Sequence, residues 1–68
     1  MSEFILDGDF IKLGQLMKAA NLVSNGADAK FLIQDGQVLV NGEVCEMRGK
    51  KIVRGDVVSF DGQTVTVK

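Results

Sequence analysis

Apolar positions recur along this chain in two periods, and the change between them divides it. From Phe10 to Leu22 the apolar residues Leu13, Leu16, Met17 and Ala20 fall at i, i+3, i+4 and i+7, the spacing of one face of an amphipathic helix. Asp9 stands where an N-cap would, after a short opening strand over Glu3 to Leu6 and a turn at Asp7-Gly8. Gly14 interrupts the helical stretch at a cost of about 1 kcal/mol relative to Ala, which points to close packing or to close approach of a ligand at that position, packing being the safer reading. Val23-Ser24-Asn25-Gly26 breaks the pattern. Ser24 and Asn25 are both good N-cap residues, and Asp28 suits the first turn of a second helix. Ala29, Leu32 and Ile33 share one face of that helix, and Gly36 is a natural stop.

Beyond Gly36 the period shortens to two. Val38 and Val40 point one way if Gln37 to Asn41 is a strand. Asn41-Gly42 is the preferred pair for a two-residue hairpin turn, where both residues need positive φ. Glu43 to Cys45 forms the return strand. An exposed connection containing Gly49 follows, Ile52-Val53 drops back toward the core, and Arg54-Gly55-Asp56 turns the chain. Val57 to Phe60 and Gln63 to Lys68 form a second hairpin around Asp61-Gly62, with Val65 and Val67 on one face. The expected fold is therefore α+β: two consecutive helices followed by a small, mostly antiparallel, twisted sheet.

Sixty-eight residues amount to one domain, 1–68. A chain this short buries roughly 60% of the surface its unfolded form exposes, so the core is small. There is one cysteine and no histidine, which leaves neither an internal disulfide nor a Cys/His metal cluster and suits a reducing cytoplasm. No cofactor is expected. Met1-Ser2-Glu3 does not resemble a signal peptide, and no apolar run approaches membrane-spanning length. Without histidine there is no general base poised near neutral pH. Cys45 reads as a small core or edge residue, and Asp7 and Asp9 as turn and capping residues. The chain is not expected to be an enzyme.

The formal charge of −1 argues against nucleic acid until its distribution is considered. Met47 to Arg54 holds Arg48, Lys50, Lys51 and Arg54 and no acid, whereas the other sixty positions hold four basic residues and nine acidic ones. Affinity for phosphate follows the local field and not the sum. Lys12 and Lys18 lie off the apolar stripe of the first helix and Lys30 off that of the second. The backbone N–H groups of Gly26 and Ala27 open the second helix, a place suited to a phosphate; the plainer alternative is that Asn25 caps the helix and Gly26 merely eases the turn. Phe10, Phe31 and Phe60 fall in or beside apolar segments and read as core. With no Tyr or Trp, unstacked bases would have little to stack on, so a phosphate-directed contact with folded RNA fits this inventory better.

In order, Lys12-Leu13, Ala29-Lys30-Phe31-Leu32-Ile33, Gly36-Gln37-Val38-Leu39-Val40-Asn41-Gly42 and Arg54-Gly55-Asp56-Val57 resemble the S-four RNA-binding domain, named for ribosomal small-subunit protein four. The hallmark is a helix pair, a Gly-x-Val-x-Val-Asn-Gly hairpin and a Gly-Asp-Val turn into a strand. The likeness runs from about Phe10 to Phe60 and is greatest to small single-domain bacterial members. It implies binding of structured RNA, ribosomal or transfer, with a ribosomal particle as one setting. By position it implicates Lys12, Gln15, Asn25, Gly26, Lys30 and Gln37, with Arg48, Lys50, Lys51 and Arg54 of the basic segment adding charge. The chain departs from the family where Gly26 replaces a common Arg, Gln15 a common basic residue and Gly14 a common Asp. No apolar seam demands a dimer, so a monomer is favoured. The competing reading is a β-grasp-like protein-docking module whose basic loop binds an acidic partner. A sulphur-carrier role in that group needs a terminal Gly-Gly, and this chain ends Val65-Thr66-Val67-Lys68.

Overall fold

The computed structural model describes residues 2–68. Strand β1 (Ser2–Phe4) and the short β2 (Ile11–Lys12) precede helices α1 (Leu13–Ala19) and α2 (Gly26–Gln34). Five strands follow: β3 (Val38–Val40), β4 (Glu43–Val44), β5 (Lys51–Ile52), β6 (Val57–Phe60) and β7 (Gln63–Val67). The main sheet has the order β1-β7-β6-β3-β4, antiparallel except where β1 runs parallel to β7. β2 and β5 form a separate antiparallel ribbon, pairing Ile11 with Ile52 and Lys12 with Lys51. The fold is α+β, as the periodicity predicts.

The helical stripe buries as its spacing requires. Leu13, Leu16 and Met17 of α1 and Ala29 and Ile33 of α2 pack in one core with Val38, Val40, Val58 and Val67 of the sheet. Ile52 and Leu6 close this core. Removing a side chain such as Leu16, which is wholly buried, costs about 2–5 kcal/mol by analogy with other cores.

Both helices end by the same device. Asn21 takes a φ of 60°, and the Leu22 and Asn21 N–H groups return to the Met17 and Lys18 carbonyls. Gly36, at φ 76°, plays the part of Asn21 for α2, with Gln37 N–H to Leu32 and Gly36 N–H to Ile33. Asn25 begins α2, its side chain accepting from the Asp28 N–H at 2.9 Å.

The start of α1 differs from expectation. Phe10, Ile11 and Lys12 are not helical, and Asp9 is not its cap. Pairing with β5 holds Ile11 and Lys12 extended, and the first two helical N–H groups are taken from outside the helix. Leu13 donates to the Lys50 carbonyl at 2.9 Å and Gly14 to the Arg48 carbonyl at 3.0 Å. Two expected core residues are also displaced. Phe31 is 70% exposed and Phe10 43% exposed, while Phe60 packs partly against the core. The opening strand runs over Ser2–Phe4 and not Glu3 to Leu6, although the Leu6 N–H still reaches the Lys68 carbonyl.

The Asn-Gly hairpin and the Gly-Asp-Val turn, far apart in sequence, are one corner in space. The Asn41 side chain donates to the Asp56 carboxylate at 3.0 Å and accepts from the Val57 N–H at 2.9 Å. The other Asp56 oxygen accepts from the Val53 N–H. Among the described residues no helix is long and apolar enough to cross a membrane.

Candidate nucleic-acid interface

Three segments converge on a shallow hollow of about 430 Å³. Lys12, at the junction of β2 and α1, supplies the first cation. Gln15 lies one turn further on and accepts from the Lys12 N–H at 3.4 Å, steadying the helix start. Lys18 follows in the last turn of α1, where a positive charge suits the helix dipole. Lys30 faces the same hollow from α2, and Arg48 closes it from the loop before β5.

Backbone bonds hold that loop in place. Its Arg48 and Lys50 carbonyls are the acceptors for the α1 N-terminus, so the loop is tied to the helix that carries Lys12 and Lys18. Gly14, Gly26 and Gly49 supply the remaining lining and keep the floor low. A Cβ at Gly14 would meet the Arg48 carbonyl oxygen at 3.6 Å and its Cβ at 3.7 Å. Those are ordinary contact distances, so Gly14 permits the close loop packing without being sterically required.

Among the described residues no acid lines the hollow. The one ion pair among the described residues, Lys68 with Glu3, lies elsewhere. Lys12, Lys18, Lys30 and Arg48 are all exposed, and their charge is not neutralised locally. No group of three His, Cys, Asp or Glu side chains suited to a metal ion occurs among the described residues. The arrangement can attract several phosphates at once; it offers no nucleophile with an adjacent base.

Five of the ten implicated residues line this hollow: Lys12, Gln15, Gly26, Lys30 and Arg48. The other five do not. Asn25 spends its side chain on the α2 cap. Gln37 donates to Asp35 at 2.6 Å beside a different hollow, next to Phe31. Lys50 stands with Glu43, Glu46, Val44 and Met47. Lys51 lies over the Phe10 ring, its Nζ 4.9 Å from the centroid. Arg54 donates to the Leu6 carbonyl at 2.8 Å. The run of charge from Arg48 to Arg54 is thus dispersed in space. Lys18, a cation the sequence already places off the apolar stripe of the first helix, joins the site, as do Gly14 and Gly49. The three-residue spacing of Lys12, Gln15 and Lys18 is the sequence signal that puts them on one side of the chain.

Comparison with known proteins bears on this geometry. The model of the S4 domain matches residues 4–68. The "Probable ribosome maturation protein RlbA" of Bacillus subtilis (strain 168) is 40% identical over 57 residues, covering 84% of this chain and 80% of that protein. The "Putative RNA-binding protein YbcJ" of Escherichia coli (strain K12) is 42% identical over 57 residues, covering 84% of this chain and 81% of its own length. The solution structure of YbcJ from E. coli, said to reveal an αL motif involved in RNA binding, superposes with a TM-score of 0.75 at 40% identity. That superposition covers 98% of this chain and 86% of YbcJ. The chain described here belongs to the S4 domain family.

Proposed function

We propose that this protein binds structured RNA, ribosomal or transfer, at equilibrium and without catalysis, through the cationic hollow between the helix pair and the Arg48 loop. The observation that carries the reading is the convergence of Lys12, Lys18, Lys30 and Arg48, from separate elements, on one acid-free surface. The similarity to proteins named for RNA binding and ribosome maturation supports it. Arg48 can grip a phosphate with two parallel N–H groups, while the lysines act as movable point charges. Flat approach suits the wide, shallow minor groove of an RNA helix, with its phosphates and 2′-hydroxyls. The reaction is exchange of condensed counterions for protein cations, so salt opposes it.

The test is binding of purified protein to ribosomal RNA and transfer RNA across a salt series, with duplex DNA as control. Four phosphate contacts give an expected log–log salt slope of about −3, with DNA bound clearly more weakly. A shallow slope, or equal affinity for every polyanion, rejects the reading.

A further inference from the structure

Phe10 stands exposed two residues before Lys12, which lines the cationic hollow. In the β2–β5 ribbon Ile11 and Ile52 form the inward pair, Ile52 fully buried and Ile11 packed against the core. Lys12 and Lys51 form the outward pair, and both are exposed. Side chains alternate along extended backbone, so Phe10, one residue before Ile11, shares the outward face with Lys12. The position of the Lys51 ammonium over the Phe10 ring agrees with this. The ribbon therefore presents an aromatic ring beside a facing pair of lysines, one of which, Lys12, also lines the hollow. Two residues of extended chain, roughly 7 Å, separate Phe10 from Lys12.

An aromatic ring beside unpaired cations is the equipment with which proteins hold unstacked nucleotides: the ring takes the base and the cations take its phosphate. We propose that Phe10 is a stacking platform for one unpaired nucleotide next to the RNA helix held in the hollow. The inference rests on the RNA-binding reading and adds a ligand class to it: a helix flanked by a single strand, and not a blunt duplex. Asp9 precedes Phe10 in the chain, so the nucleotide lies toward Lys12. The base takes the place of the Lys51 ammonium on the ring. The long stem of Lys51 lets that charge move to the adjoining phosphate, while Lys12 joins the ring to the hollow.

The experiment compares a blunt RNA hairpin with the same hairpin carrying a short unpaired adenosine tail. The native protein is expected to prefer the tailed hairpin roughly 5- to 150-fold, the range that one base–aromatic stack supplies. Its Phe10 ring protons should move upfield only with the tailed RNA. Phe10→Ala should erase the preference while blunt-hairpin affinity and its salt slope stay as they were. Phe10→Leu, which keeps the apolar bulk packed on the ribbon, guards against a folding artefact and should erase it too. A native protein that binds both hairpins alike, or a Phe10→Leu variant that keeps the preference, overturns the platform and leaves the cationic hollow standing. Failure to bind either hairpin overturns both.

Discussion

Gly26 shows how one residue can serve the backbone and limit the site. It is the first residue of α2, it lines the cationic hollow, and a Cβ there meets nothing within 4 Å. It is not among the glycines with positive φ, so the backbone accepts a side chain. Asn25 already caps the helix through the Asp28 N–H, and that bond survives a change at its neighbour. Gly26→Arg places a fifth cation at the rim. An Arg near the positive end of α2 costs about 0.3–1 kcal/mol. Its better helix propensity returns a similar amount, so the melting temperature should hardly change. Affinity for RNA is expected to rise and the salt slope to steepen by about 0.7–0.9. Unchanged affinity and slope would mean that phosphates do not reach the start of α2.

At the scale of elements, the Asn41–Asp56 corner explains why the two halves of the hairpin signature occur together. Asn41 sits at φ 54° and uses its side chain to bridge Asp56 and the Val57 N–H. Asn41→Ala loses both bonds and forces a Cβ residue without Asn's local compensation into the left-handed region. The expected loss is about 2 kcal/mol, or a fall in Tm of roughly 8–16 °C for a domain of this size. Asn41→Gly keeps the φ and loses only the bonds, so its loss should be clearly smaller; equal losses would place the whole effect in the hydrogen bonds. Such elements were legible because their signals are local. The Leu13-Leu16-Met17 stripe, the Asn25 cap, Gly36 and the two tight hairpins each follow from a few neighbouring residues. The β2–β5 ribbon was not legible, because its cause is pairing across some forty positions. Ile11 and Lys12 sit next to a strong helical stripe and look like its first turn until Lys51 and Ile52 claim them. Phe10 is exposed for the same reason, since the ribbon and not the helix decides which way it faces. The site was half legible for a related reason: side-chain chemistry marks the cations, but only the loop's attachment to α1 selects Arg48 and sends Lys50, Lys51 and Arg54 elsewhere.

At the scale of the whole molecule, a chain with net charge −1 is proposed to bind a polyanion, and the separation of its charges removes the contradiction. Asp28 in the first turn of α2 and Asp35 at its C-cap flank the exposed Phe31 along hollows apart from the cationic one, while Lys30 of α2 faces Lys12, Lys18 and Arg48. Lys68, at the far end of β7, is paired with Glu3. At physiological ionic strength a charge acts over about 8 Å, so a phosphate in the hollow responds to cations lining it and hardly to the total. Two variants with equal net charge separate local from global electrostatics. Lys30→Gln and Lys68→Gln each remove one positive charge, and both residues are exposed, so each should change stability by less than about 1 kcal/mol. Lys30→Gln should weaken RNA binding and lower the magnitude of the salt slope by about 0.7–0.9. Lys68→Gln should leave both within error of the native protein. If the two variants weaken binding equally, overall charge governs association and the hollow is not the place where RNA is held. If only Lys30→Gln does so, an acidic protein carries its affinity for RNA in the local arrangement of four side chains, which composition alone does not reveal.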